Sequence, residues 1–399
     1  MSKHEARAIL AVLLLLLLSV AGSHARSEDV VLVDGALIEG GLGVSVRSWT
    51  LKKEGAEDVK VSEIAAPLRL RKPLGARGDL SLEIPGVWAS IEGEGSSEYR
   101  GPADAKLSAS YRPSGRGTRI GLFLEIPTGQ SKTHPAERAV AGAAADRLLG
   151  LPIKRFGEGF DAGASLVQGF SPARRVSVSA GAGYLLKGEY AFLGAGDAEE
   201  KYAPGDEIFL TAGAGGEWGG AVVLLAAADF RYRMFAVDKR NGEDFYEEGD
   251  EASLLLDGSV RIGPGRRIDV RAFLVFKGEG SEGGAFGEGS IDSLSVERYL
   301  QRSLTGDYRE FSASYTHRIA AGVDLSADVR AGDFGEYAFA EGAHLLGSGR
   351  VYELGAGVGA DLSSHYRLLV HAARLLGEAE EGAIDLTGFD LAASVQWVY

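Results

Sequence analysis

Cysteine is absent from all 399 residues, and methionine occurs only twice. Without cysteine there are no disulfide staples and no thiolate metal site. Long apolar runs are missing too: beyond the first 25 residues no stretch approaches the roughly twenty needed for a spanning helix. There is no basic surplus, with 42 Lys+Arg against 56 Asp+Glu and a net charge of −14. That balance disfavours nucleic acids and anionic surfaces as partners. What is plentiful is glycine, 57 residues, about twice average usage. It does not recur in threes, which excludes collagen, and it is interleaved with Val, Leu and aromatics, which argues against disorder.

The N-terminus reads as a secretory signal peptide over residues 1–25. Lys3 and Arg7 sit in a short leading segment, six leucines fill positions 13–18, and Ser23, His24 and Ala25 supply the small-residue cleavage region. A retained anchor would need a longer apolar run. The leader carries Lys3, Arg7 and Glu5, so without it the balance is 40 basic to 55 acidic residues, or −15. An exported chain that re-enters a membrane without helices must do so as a closed barrel, because lipid offers no partner to unpaired backbone groups.

Alternation of apolar and polar residues supports that reading. The last twelve residues place Phe389, Leu391, Ala393, Val395, Trp397 and Tyr399 on one face, with Asp390, Ala392, Ser394 and Gln396 opposite. A half-buried strand of a soluble sandwich alternates the same way, so the rest of the chain must discriminate. It resolves into about sixteen segments of barrel-strand length, with fourteen as the alternative count: 41–53, 58–71, 78–92, 102–113, 117–127, 158–171, 174–189, 206–216, 219–237, 251–262, 265–277, 308–319, 322–335, 349–361, 364–377 and 387–399. Short connections (113–117, 171–174, 263–266, 320–322, 361–365) alternate with long acidic ones (188–207, 239–251, 278–307, 333–350, 377–386). Outer-membrane barrels show this asymmetry, with tight periplasmic turns and long extracellular loops; a sandwich has no reason to. The expected fold is therefore all-β, a transmembrane antiparallel up-and-down barrel over 41–399, preceded by a short segment, 26–40. The even strand count puts both termini on the periplasmic side.

The apolar rows are expected to face lipid, where a midplane Arg or Lys costs about 2–4 kcal/mol. The polar rows then line the lumen, and the candidates are Arg119, Glu125, Asp229, Arg231, Asp257, Arg261, Asp269, Arg271, Asp324, Asp328 and Arg330. They would set charge selectivity or cross-link the interior. The alternation changes phase near Ser62–Glu63 and Pro85–Gly86, which reads as bulges or strand ends.

Other constellations were weighed against plainer readings. Ser312, Ser314 and Asp324 lie within a hairpin of His317, which would suit a Ser/His/acid hydrolase, but no nucleophile motif surrounds any serine. His365 and His371 have no metal-ligand spacing beyond their own pairing. Residues 241–251 hold six carboxylates without a twelve-residue calcium-loop pattern and read as a solvated acidic loop. Residues 128–156 are different. Pro135 opens an Ala-rich helical stretch that ends at Gly150, matching helix punctuation. A loop this long usually has a role; folding into the barrel mouth and narrowing it is the favoured one.

Three runs carry a family resemblance: Leu80-Ser81-Leu82-Glu83-Ile84-Pro85, Gly101-Pro102-Ala103-Asp104-Ala105-Lys106-Leu107, and Gly121-Leu122-Phe123-Leu124-Glu125-Ile126-Pro127-Thr128-Gly129. The chain resembles the outer-membrane family named for the MetA pathway of phenol degradation. Members show Gly-Asp-x-x-Leu at a strand entry and Leu-Pro-Thr-Gly at a strand end. Here Pro102-Ala103-Asp104 departs at the glycine, and Ile126-Pro127-Thr128-Gly129 matches. The resemblance implies a porin-like barrel that moves small, often aromatic or apolar, organic molecules. In size the chain is similar to long-chain fatty-acid transporters but lacks their Asn-Pro-rich hatch.

The expectation is a bacterial outer-membrane channel or facilitator for passive passage of small organic solutes, not an enzyme, with no cofactor and no metal. A non-transporting structural or adhesion barrel is the alternative, and an integral lipid hydrolase a third reading. Expected partners are outer-membrane lipid and lipopolysaccharide, the barrel-assembly machinery that would recognise the aromatic C-terminal strand, a small-molecule solute and, in a trimer, further copies of the chain.

Overall fold

The computed structural model describes residues 38–93, 96–113, 117–130, 135–153, 156–193, 199–219, 222–278, 280–282, 306–335 and 348–398. The leader, most of 26–40 and Tyr399 lie outside the described residues. Sixteen strand positions form one antiparallel barrel. Its first half comprises β1 Glu39–Lys53, β2 Val59–Pro73, β3 Gly78–Glu92, β4 in two pieces (Ser97–Pro102 and Ala105–Tyr111), β5 Thr118–Ile126, β6 Asp161–Ala173, β7 Val176–Leu186 and β8 Glu207–Gly219. Its second half comprises β9 Val222–Phe235, β10 Glu251–Ile262, β11 Arg266–Lys277, β12 Tyr308–Ala320, β13 Val323–Phe334, β14 Gly349–Asp361, β15 Tyr366–Ala379 and β16 Ile384–Val398. The C-terminal strand closes the ring on β1, in register from Glu39↔Val398 to Lys53↔Ile384. Closure satisfies every edge and rules out the sandwich.

Residues paired across strands share a face. Trp49 hydrogen-bonds a segment inside the ring, so its row faces inward. That row runs Trp49, Val61 and Ile91 one way and Gly388, Leu375, Glu353, Arg330, Ser312, Arg271 and Asp257 the other. The opposite face carries exposed apolar side chains such as Leu166, Phe170, Leu224, Val270, Phe311, Val329 and Leu354. A closed ring with an apolar exterior and a polar interior is a membrane-spanning barrel. The protein is an outer-membrane β-barrel, and its turns fit that setting: two residues (174–175) join β6 to β7, three (263–265) join β10 to β11, and two (321–322) join β12 to β13.

Three expectations need correction. The β2–β3 register runs unbroken through Ser62, Glu63, Pro85 and Gly86, so no bulge sits at Ser62–Glu63; opposite Pro85 the register with β4 slips by one residue, from Glu83↔Lys106 to Gly86↔Pro102. The phase changes because inward Val61, Val87, Ala89 and Ile91 pack against protein in the lumen rather than water. The real break is at Ala103–Asp104, between the two pieces of β4. The connection read as long over 377–386 is four residues, 380–383, and the β1–β2 and β3–β4 connections at the same end are equally short (54–58 and 93–96). Finally, residues 238–247 are not simply a solvated loop: Asp238–Arg240 and Glu243–Glu247 join Tyr190–Leu193, Glu199–Ala203 and Ser281–Glu282 in a small external sheet. It buries Tyr202, Phe245 and Tyr246.

One charge stands on the wrong side of the wall by simple patterning. Arg374 pairs in register with Leu354 and Phe389, so it faces outward among apolar residues. A cation there costs from about 0–1 kcal/mol near the interface to about 2–4 at the midplane.

The closing seam offers a test. Trp397 lies flat over Gly40; a Cβ at Gly40 would fall 2.2 Å from the indole. Gly40→Leu should overpack this seam by about 1–3 kcal/mol and lower the fraction of chain that refolds to the SDS-resistant, heat-modifiable form. An undiminished folded fraction would refute the seam argument.

Candidate functional site

The described residues of the 34-residue connection between β5 and β6 pack against the inner wall. Helix α1 (Pro135–Ala145) and the turns after it lie inside the barrel. The helix ends at Ala145 rather than Gly150, and the chain turns through Leu148–Gly150 to place its carbonyls against the wall. Val140, Ala141, Ala144, Leu148, Leu149, Leu151 and Phe156 are buried. They pack on inward residues of β1–β4 (Trp49, Val61, Val87, Tyr99) and of β11–β16 (Val275, Tyr308, Val351, Leu375, Leu386).

The neck of this segment is held at the break in β4. Asp104 is 1 % exposed, and its carboxylate accepts backbone N–H groups from Gly129 (3.2 Å), Gly157 (3.1 Å) and Glu158 (2.9 Å). Those donors come from both ends of the segment. Thr128 bridges the gap in the strand: its hydroxyl donates to the Ala103 carbonyl (2.7 Å) and accepts from Ala105 N–H (3.0 Å). Gly129 and Gly157 touch; a Cβ on Gly129 would lie 2.5 Å from Gly157 N, and Gly157 has φ +89. The Pro-Thr-Gly element thus has a physical reason: hydroxyl, close approach and turn are each used.

Further in, the segment spans the lumen. Trp49 Nε1 donates to Leu149 O (2.7 Å), Arg47 Nη1 to Gly150 O (2.6 Å), and Ile153 N to Glu63 Oε1 (2.8 Å). On the far side Arg147 donates to the Tyr308 hydroxyl, lies over its ring at 4.8 Å, and approaches Glu251 at 3.7 Å. Arg47 also pairs with Glu353 (2.6 Å) and Asp390 (2.8 Å), and Arg330 with Glu310 (2.6 Å) and Glu353 (3.5 Å).

The segment fills the lumen from one side only. Among the described residues, the buried cluster that contains the segment has no member on β5–β10, where Phe209 and Phe235 are buried apart from it. Much of the inner face of β6–β9 is small: Gly163, Ser165, Gly169, Ser177, Ser179, Gly181, Gly183, Gly213, Gly215 and Ala227 share it by register. A cavity of about 640 Å³ lies along this wall, and an adjoining one of about 900 Å³ reaches from it across the lumen to Asp269, Arg271, Ser312, Asp328 and Glu353 on β11–β14. Phe123 and Phe209 rest on Gly163 and Gly183, with centroids 6.3 Å apart. The Arg231 guanidinium sits 4.3 Å over Phe209. Above them Glu207 binds Arg233 (2.5 Å) and Lys187, and Glu251 binds Arg233 (3.2 Å).

All eleven sequence-derived candidates stand on the inner face by register. Most are paired: Arg119 with Asp79 (3.8 Å), Glu125 with Lys106 (3.1 Å), Asp257 with Arg271 (2.7 Å), and Asp269 with Arg267 (2.6 Å). Asp324 holds Arg318 (3.0 Å) and Arg367 (2.5 Å), and Asp328 holds His371 (2.9 Å). Asp229, Arg231 and Arg261 have no ion pair among the described residues. Sequence reasoning missed Arg47, Glu63, Asp104, Arg147, Glu207, Arg233, Glu251, Glu310, Glu353 and Asp390. Glu63, Arg147, Glu207, Arg233, Glu251 and Glu310 lie near the loop side or in the infolded segment, where strand ends blur the alternation; Arg47, Asp104, Glu353 and Asp390 stand further in. The hydrolase constellation does not form. His317 pairs with Leu325 on the outer face, whereas Ser312 and Ser314 face inward.

No family model matches the chain, and no curated protein matches it. Among solved structures it is similar to OpdQ of Pseudomonas aeruginosa (12% identity, 91% of this chain and 98% of that one, TM-score 0.43). It is also similar to a BenF-like porin of Pseudomonas fluorescens Pf-5 (8% identity, 92% and 100%, TM-score 0.41). A third is an outer-membrane channel of Pseudomonas putida F1 (12% identity, 94% and 100%, TM-score 0.38).

Asp104 carries a direct prediction. Asp104→Ala removes three charge-assisted bonds, each worth about 1.5–3 kcal/mol in isolation, and should destabilise the barrel by at least about 3 kcal/mol and raise single-channel conductance. Asp104→Asn, which keeps an acceptor oxygen, should lie between. A native-like conductance for Asp104→Ala would show that the neck holds without it.

Proposed function

We propose that the protein is a channel for passive passage of small organic solutes, and that its path runs between the infolded segment and the β5–β10 wall. The observation that carries this reading is the one-sided packing. Protein packs on the β11–β4 side, while most inward positions along the middle of β6–β8 are glycine or serine, with charged and aromatic residues of β5, β8, β9 and β10 around them. A structural or adhesion barrel has no need of a bare wall, and a plugged barrel would pack against it.

The charges along the path are unequal. At the mouth four cations (Lys187, Arg233, Arg147 and Arg231) stand with two carboxylates (Glu207 and Glu251). Deeper in the lumen, the acids and bases on β10–β15 largely neutralise one another. In this reading Arg231, Phe123 and Phe209 form the narrow zone, offering an apolar surface and a positive charge side by side. Arg119, Glu125, Asp257, Asp269, Arg271, Asp324, Asp328 and Arg330 act mainly as cross-links that keep the wall round. Asp229 and Arg261 remain available to passing solutes.

Deleting residues 133–150 should enlarge single-channel conductance in a planar bilayer; unchanged conductance rejects the constriction. Arg231→Ala should shift the zero-current potential toward cation preference, and the shift should shrink at high salt as screening grows. If liposome swelling shows no sugar or amino-acid entry through either wild type or deletion, the channel reading fails altogether.

A further inference from the structure

We infer that the outer wall of β12–β15 carries a binding site for the phosphate groups of lipid A, built from Arg309, Arg350 and Arg374. The inference rests on the long-loop end facing the cell exterior and is independent of the channel reading.

Register defines the site. On the outer face Arg309, Asp333, Arg350, Glu378, Asp385 and Lys52 are consecutive partners from β12 round to β1. All six are exposed. Six adjacent charges on a lipid-facing wall place the headgroup level on this side of the barrel, because hydrocarbon does not accept them. Arg350 is held between Asp333 (3.2 Å) and Glu378 (3.8 Å). Arg309 makes no ion pair among the described residues, although its register partner is Asp333.

Arg374 lies deeper. It is four residues below Glu378 on β15, about 13 Å along the strand at roughly 3.3 Å per residue and about 10 Å along the axis of a barrel tilted about 40°. It is exposed and has neither a carboxylate nor a hydrogen-bond partner among the described residues. With Phe311, Val329, Tyr352, Leu354 and Leu376 it borders an apolar groove of about 1050 Å³, which extends as far as Val176 and Trp218 on β7 and β8. An arginine so placed extends its guanidinium toward the headgroups while its stem stays in the apolar layer. The ligand this suits is an amphiphile with anionic groups at the interface and acyl chains that run down the groove. Guanidinium favours phosphate through paired N–H donors. The phosphorylated glycolipid of the outer leaflet has that chemistry; a second copy of the chain would have to bring a carboxylate into an apolar band.

The full-length barrel in dodecyl maltoside would be titrated with diphosphoryl lipid A and with the same lipid dephosphorylated, following the temperature at which the SDS-resistant form is lost. Wild type should bind the diphosphoryl lipid at least tenfold more tightly. Arg374→Gln should reduce that preference below threefold while keeping normal heat-modifiability, and Lys72→Gln, at the periplasmic end of the outer face, should leave it intact. Equal affinity for the two lipids, or a preference undiminished in Arg374→Gln, would overturn the proposal. So would an equal shift with inorganic pyrophosphate, which would indicate a soluble-anion site. If Arg374→Gln instead dissociates an oligomer without any phosphate dependence, the arginine is a subunit contact and the proposal is wrong.

Discussion

The carboxylate of Asp104 is the point on which the interior depends. A sixteen-strand barrel is too wide for wall side chains to fill, so protein that occupies its lumen has to be tethered. Breaking β4 frees backbone groups at Ala103 and Ala105, which would be costly unpaired. The Thr128 hydroxyl takes both, and the break lets Asp104 turn to meet N–H groups from the two ends of the segment. A buried charge is tolerable because it accepts three donors at once. The same break shifts the inward row from Gly101 to Lys106, so that the lower piece of β4 still presents its polar residues to the lumen.

From that tether follows the division of the inner face. Where the segment packs, inward positions near the loop side are apolar: Trp49, Val61, Val87, Tyr308, Val351 and Leu375. Deeper on the same strands, inward positions become charged and paired, as at Arg69 with Glu83 (2.9 Å) and Arg367 with Asp324 (2.5 Å). On β6–β8 neither pattern holds, because glycine and serine leave room. Three compositions of one inner wall therefore correspond to three environments: packed protein, cross-linked wall and, on the proposed reading, the solute path. Arg47 joins the first two. It reaches Gly150 on the segment and Glu353 and Asp390 on the wall, so losing it would leave Asp390 without its cation and Glu353 with Arg330 alone.

Much of the barrel was legible in the sequence because its period-two pattern is strict where lipid lies outside and water inside. All sixteen segments were recoverable, as were the tight turns marked by Gly263, Gly265 and Gly322, each with positive φ. What misled was the assumption that inward means polar. Val87, Ala89 and Ile91 are inward and apolar, and they imitated a phase change that the backbone does not make. Asp104 could not be singled out, since one aspartate among 56 acids carries no local mark of the distant N–H groups that it binds. Arg374 was not singled out either, although it breaks an apolar row between Ala372 and Leu376. Its meaning needed the register of Arg350 and Glu378.

The acidic composition also changes sense once partners are known. A net charge of −14 with acid-rich loops suggests a mouth that repels anions. Yet Glu248 binds Lys277 (2.9 Å), Glu200 binds Arg240 (2.6 Å), and Asp238 accepts from the Tyr202 hydroxyl and from Gly205 N–H (2.5 Å). These carboxylates build the external sheet and its seating on the rim. They are used up in structure, and a charge already paired at short range adds little to the field at a distance. Among the described residues along the proposed path, Arg231 is left without an ion pair and lies beside an aromatic ring. Net charge is a property of the chain; selectivity belongs to its unpaired remainder.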